Sequence, residues 1–191
     1  MKQAKKVRRQ ELLREILQNN PFYTDEQLAA ELSVSVQTIR LDRICLAIPE
    51  LRERVKAMAA RAQVKLKAVD SRDIVGELID MEPGASGISV MRVSPDMTVS
   101  KGGAVRGHYM FAQANTLALA VIDAPAALTG VANIKYLKPA YGDDRLVAKA
   151  QVIRKRGNKY FIWVKIRNDE HEVFRAKFIV LSLAGGEGNA K

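Results

Sequence analysis

Residues 106–121 read RGHYMFAQANTLALAV, an apolar run opened by an arginine, a glycine and a histidine. Its body is interrupted only by Gln113, Asn115 and Thr116. A guanidinium just ahead of a helix can hold a carboxylate bidentately, where free backbone N–H groups already favour an anion. Gly107 lets a ligand come close to the backbone. No Asp or Glu occurs between Met97 and Ile122. Asn115 can donate and accept hydrogen bonds, but an amide takes no proton from water at neutral pH. The chemistry on offer is therefore anion recognition without a carboxylate base. Plainer roles stay open for the same residues. Arg106 could pair with Asp96 or Asp144, His108 could bond locally, and Gln113 and Thr116 could be bonded internally.

Other chemistries find few residues. Cys45 is the single cysteine, which excludes an internal disulfide and a cysteine-rich zinc site and fits a reducing, cytoplasmic setting. His108 and His171 are the only histidines and lie far apart in sequence, so no metal centre is expected. The basic N-terminus has no apolar run behind it, and no stretch reaches the length of a membrane span. The net charge of +10 points to an anionic partner, most simply nucleic acid.

The elements that must position such chemistry begin with a helix containing Leu12, Leu13, Ile16 and Leu17, behind a basic arm of Lys2, Lys5, Lys6, Arg8, Arg9 and Arg14. Pro21 stops it. Thr24 with Gln27 three residues on predicts a capping box and a short second helix. Ser35 is placed to cap a third, with Val36, Ile39, Leu41, Ile44 and Cys45 expected on its core side. Gln37, Thr38, Arg40 and Arg43 are then left for base edges and phosphates. Two short helices with a tight connection make a helix-turn-helix. The stretch LAAELSVSVQTIRLDRICL resembles the DeoR-type bacterial repressors, although the chain continues from Ile48-Pro49 into another helix and leaves little room for a wing.

That next helix, predicted over 49–69, carries an apolar stripe of Leu51, Val55, Met58, Ala62, Leu66 and Val69. The stripe must be buried, against its own second domain or against a second subunit, or it is a plain linker. Beyond it, IVGELIDME and GISVMRV have strand character. After the apolar helix come AALTGVANIKYLK, DRLVAKAQVIRKR, NKYFIWVKIRN and HEVFRAKFIVLSL, each alternating, with turns at Gly142-Asp143-Asp144, Gly157-Asn158 and Asn168-Asp169-Glu170. A four-strand antiparallel meander after the helix is predicted. The fold class is α+β. It divides into an all-helical DNA-binding domain over 1–48, an amphipathic linker helix over 49–71 and a sheet-wrapped helix over 72–191.

A helix apolar on nearly all sides must be wrapped by a curved sheet, and residues 72–184 resemble the acyl-CoA-binding hot-dog superfamily. Hot-dog enzymes place an acid on or near this helix, and Asn115 stands in its place. The resemblance thus implies recognition without turnover. An acyl-CoA thioesterase fused to a DNA-binding head is the alternative.

TIRLDR, IPELRERVK, RGHYMFAQANTLALAVID and LVAKAQV together resemble the FapR family of Gram-positive repressors of fatty-acid and phospholipid synthesis genes. That resemblance implies a homodimer that binds double-stranded operator DNA and is released by malonyl-CoA or malonyl-acyl-carrier protein, with no other cofactor. It places Arg106 on the malonate carboxylate, Gly107 at the pocket's flank and Asn115 in the pocket from the partner subunit, with Phe111 and Gln113 in the same effector-binding set. The DNA-binding set is Arg8, Arg9, Ser35, Gln37, Thr38, Arg40 and Arg43. The chain departs from the family pattern at 57–71 and 95–105.

Overall fold

A computed structural model describes residues 2–183, with side chains described from residue 6 onward; the side chains of Lys2 and Lys5, counted in the basic arm, lie outside the described residues. The chain divides into two compact units, Met1–Met58 and Ala59–Lys191.

The first unit holds α1 (Lys2–Asn19), α2 (Asp25–Glu31) and α3 (Val36–Cys45). The arm is itself helical, so α1 begins at Lys2. Both predicted caps are present. Thr24 and Gln27 form a complete capping box, and the Ser35 side chain accepts from the Thr38 backbone N–H. The apolar centre is small: Leu13, Leu17, Leu28, Ala29 and Ile39 are buried.

The inner face of α3 differs from the predicted one. Leu41 and Ile44 are 56% and 72% exposed, and Cys45 is exposed too. Asp42 and Arg43 are buried instead. Helical geometry explains the correction, because three and four residues beyond buried Ile39 fall 42 and 43, whereas 41, 44 and 45 point away. Polar residues occupy core positions because each has a charged partner in the same unit.

Helix α4 spans Leu51–Val64. It stops short of the predicted 69, and Leu66, Ala68 and Val69 pack on the second unit's core from a non-helical segment. Lys65 anchors that segment by donating to the Met81 carbonyl at 3.0 Å.

The second unit wraps α5 (Gly107–Ala120) in a six-stranded antiparallel sheet: β1 (Glu77–Glu82), β2 (Ser86–Arg92), β3 (Ala126–Tyr136), β4 (Arg145–Arg156), β5 (Lys159–Arg167) and β6 (Glu172–Leu183). The strand order is β1-β2-β4-β5-β6-β3. Only β4, β5 and β6 form a meander. β3 pairs with β6, so the predicted four-strand meander is corrected. The β3–β4 link is too long for a tight turn and is held elsewhere. Leu137 N–H donates to the Val173 carbonyl, and the Ala140 carbonyl accepts from Val105 N–H. That route carries the chain from one sheet edge to the strand beside β2.

Helix α5 is buried along Met110, Ala114, Leu117, Ala118 and Ala120. Gly87 of β2 allows the close approach, since a Cβ there would lie 2.8 Å from a Val121 methyl. Among the described residues no helix is long and apolar enough to cross a membrane.

Candidate functional site

In the helical unit, α3 presents Gln37 and Arg40 to solvent, with the Arg40 side chain 55% exposed. Arg8 of α1 is exposed as well. Thr38 shares its hydroxyl with the Ser35 hydroxyl at 2.9 Å, so these two shape the start of the helix.

Arg43 and Arg9 are placed differently from the sequence expectation. The Arg43 Nε and a terminal nitrogen donate to the two Asp25 carboxylate oxygens at 2.7 and 2.8 Å, and its other terminal nitrogen donates to the Ile48 carbonyl. Each of its three nitrogens is bonded inside the unit and the side chain is buried, so Arg43 positions α3 against α2 instead of facing solvent. Arg9 Nε donates to Asp42 at 2.6 Å, with Gln10 on the other oxygen at 2.8 Å, and this pair holds α1 to α3. The Arg43 hydrogen bonds keep the Asp25 carboxyl below its ordinary range. Burial pushes Asp42 up, but the bonds from Arg9 and Gln10 more than reverse it, and it too titrates low. Arg54 of α4 adds a third clamp, donating to the carbonyls of Pro21, Tyr23 and Pro49.

In the second unit, Arg106 is the N-cap of α5, and no side chain caps the helix there. Its Nε donates to the Thr98 carbonyl at 3.0 Å and a terminal nitrogen to the Asp96 carbonyl at 2.9 Å. Neither partner is a carboxylate, so the guanidinium is oriented without an ion pair and its charge is available. The Asp96 carboxyl is held low chiefly by a hydrogen bond from Ser94, with Arg106 contributing through space. His108 is exposed and lies against Tyr109.

Gly107 is covered by Tyr136: a Cβ at 107 would meet the ring at 2.8–2.9 Å, and the phenol donates to the Gly107 carbonyl at 3.0 Å. A cleft of about 480 Å³ opens here between α5 and the end of β3, lined by Val105, Gly107, Met110, Tyr136 and Leu137–Pro139. Tyr136 was not singled out in the sequence. The glycine was the available signal, because a residue that must lack a side chain implies a neighbour filling the space.

Asn115 is half-buried, and its oxygen accepts from the Thr129 hydroxyl of β3 at 2.6 Å. Phe111 packs with its ring 6.2 Å from Phe178. Gln113 faces the other way from Asn115. It is wholly buried, and its nitrogen donates to the Ser89 and Leu146 carbonyls of β2 and β4. The structure removes it from any surface a ligand reaches and makes it a tie between helix and sheet. Thr116 donates within its own helix and accepts from Val75 N–H. The structure thus brings Arg106, Gly107 and Tyr136 together at one end of α5, with Asn115 facing β3.

A thioesterase superfamily profile matches residues 105–174. Among solved structures, an uncharacterized protein from Pyrococcus horikoshii matches at 31% identity and a TM-score of 0.55, covering 59% of this chain and 86% of its own. The E. coli PaaI protein shows the same fold at 21% identity and a TM-score of 0.55, over 60% of this chain and 84% of its own. These matches concern the sheet-wrapped helix. "Transcription factor FapR" from Caldanaerobacter subterraneus subsp. tengcongensis is 57% identical over 93% of this chain and 89% of its own length. Its counterpart in Oceanobacillus iheyensis is 41% identical over 96% and 97%. The chain belongs to the FapR family of transcription factors. Like its FapR relatives, the protein is a regulator and not an enzyme, and its second unit has the hot-dog fold.

Proposed function

We propose that the protein represses fatty-acid and phospholipid synthesis genes by binding operator DNA as a homodimer, and that malonyl-CoA bound in the hot-dog domain releases it. The observation that carries this reading is Arg106. It is an oriented guanidinium that has no carboxylate partner among the described residues, on the N-cap residue of α5, next in sequence to Gly107, which lines the cleft. An acyl thioester ending in a second carboxylate complements that arrangement, with the anion on Arg106 and the α5 amides and the apolar arm in the cleft.

Two further features support the reading. The surface of α3 carries Gln37 and Arg40 on a helix braced from behind by Arg43, and exposed amide and guanidinium groups suit base edges and phosphates. Strand β3 ends the sheet with an unpaired outer edge and exposes Leu128, Val131, Ile134 and Tyr136. A long apolar edge strand is a template for pairing with a second copy, and Asn115 reaches toward it through Thr129.

The test is calorimetric titration of the full chain with malonyl-CoA and acetyl-CoA, on wild type and Arg106→Ala. Wild type should prefer malonyl-CoA. The variant should lose roughly 10- to 100-fold of that affinity, the worth of hydrogen bonds to a charged group, and keep its weaker hold on acetyl-CoA. Equal binding of both ligands by wild type, or unchanged operator release by the variant, would exclude the carboxylate-sensing mechanism.

A further inference from the structure

The basic excess does not sit where a helix-turn-helix would put it. The second unit contains 20 of the 31 Lys and Arg but only 13 of the 21 Asp and Glu, so most of the net charge of +10 belongs to the hot-dog domain. It is concentrated on the outer face of the sheet, the side away from α5. There Lys149, Lys165, Arg175 and Lys135 are direct cross-strand neighbours on β4, β5, β6 and β3. All four are exposed. At about 4.8 Å per strand the row spans roughly 14 Å. Like charges directly opposite destabilise a sheet, so four in a row carry a cost the fold does not recover internally. Only Arg175 has a carboxylate within reach, Glu172 at 2.7 Å, while among the described residues Lys135, Lys149, Lys165 and Lys177 have none.

The next outward row is Gln151, Trp163, Lys177 and Asn133. The Lys177 ammonium stands 5.0 Å from the centre of the Trp163 ring, and Arg154 stands 4.4 Å over Phe161. The aromatic rings are therefore capped by cations, which they hold in place at reduced entropic cost. A shallow recess of about 230 Å³ between β3 and β6 is lined by Asn133, Lys135, Arg175 and Lys177.

We propose that this outer sheet face is a second contact for duplex DNA, independent of sequence, in which these lysines and Arg175 bind phosphates. The proposal rests on the DNA-binding reading above and adds a site that the helix-turn-helix does not supply. A second copy laid on this face would set cation against cation. Capped rings are poor platforms for stacking bases, which disfavours a single strand. The adjoining β4–β5 hairpin tip is Arg156-Gly157-Asn158-Lys159, with no apolar wedge to enter a bilayer. An extended array of oriented cations fits a phosphodiester backbone.

The test compares wild type, Lys135→Gln/Lys149→Gln/Lys165→Gln and the head variant Arg40→Gln, all full length, on a non-operator duplex across a salt series. Each lost phosphate contact lowers the slope of log affinity against log salt by about 0.9, so the triple variant should lose about 2–3 of slope and bind roughly 10-fold or more weakly at low salt. Its unfolding temperature should equal or exceed that of wild type, because facing cations are relieved. An unchanged slope would overturn the sheet-face contact and leave the DNA-binding reading intact. A wild-type chain with no affinity for any duplex would overturn both. A triple variant that loses binding to phosphatidylglycerol vesicles but not to duplex would assign the face to lipid and overturn the proposal.

Discussion

The two units solve the problem of size in opposite ways. Among the described residues, the hot-dog domain buries 27 in one apolar cluster, and its buried polar side chains are only Ser89 and Gln113. The helical unit has five buried apolar residues among those described and surrounds them with Asp42, Arg43 and Arg54, each nearly removed from solvent. A core that small supplies little hydrophobic stabilisation. Ion pairs and carbonyl clamps fix its helices in one arrangement, and a buried pair is costly to break because the surviving charge is left uncompensated. The small unit is thus specified by charge and the large one by volume.

The largest test of that contrast is Arg43→Met. It takes both short hydrogen bonds from half-buried Asp25, leaving it only the longer 3.6 Å pairing with Arg40, and should cost the helical unit about 1.5–3 kcal/mol. Thermal unfolding followed by circular dichroism should show the helical transition collapse while the sheet transition stays put. A loss below about 1 kcal/mol would mean that the apolar centre suffices.

Acid comes next. Asp25 and Asp42 titrate below 3.8 in the fold, so their contribution is complete at neutral pH and is lost as the pH falls below about 4 through the lowered values. In the second unit the carboxyls held low, Asp70, Asp96 and Asp123, are at the surface, where screening leaves them little weight. An acid titration should therefore melt the helical unit first, and simultaneous loss of both units would contradict the contrast.

Smaller again is Thr24→Ala, which removes the cap of α2 and should lower the helical transition by ~1 kcal/mol. Smallest is Gln113→Leu. The Gln113 oxygen is buried with no hydrogen-bond partner, so replacing the amide by a hydrocarbon of similar size should change the stability of the hot-dog domain by less than ~1 kcal/mol in either direction. A large loss there would show that the second unit also depends on polar ties.

The same contrast explains what could be read in the sequence. Caps are local, so Thr24 and Ser35 were legible from their own neighbours. The alternation of β5 and the apolar body of α5 were equally plain, because a face buried against hydrocarbon must be apolar. Arg43 and Arg9 misled because an arginine on a helix reads the same whether it meets DNA or a carboxylate, and only the fold brings Asp25 within 2.7 Å of Arg43 and Asp42 within 2.6 Å of Arg9. Gln113 misled for a related reason. Two residues from Asn115 on a helix of 3.6 residues per turn, it falls on the opposite flank and meets the sheet. The placement of β3 was illegible because strand alternation fixes faces and not neighbours.

That placement has a consequence for how the chain assembles. The hairpins β4–β5 and β5–β6 close over a few residues, whereas β3 must wait for a strand that begins 36 residues after its own end. Local contacts form fast and distant ones slowly, so the three-strand meander is the natural nucleus and β3 a late arrival on its flank. Synthesis imposes the same order, since β3 leaves the ribosome before β6 exists. The edge at which the proposed dimer would form is then among the last surfaces to be completed, so on that proposal association would wait for each subunit to finish folding.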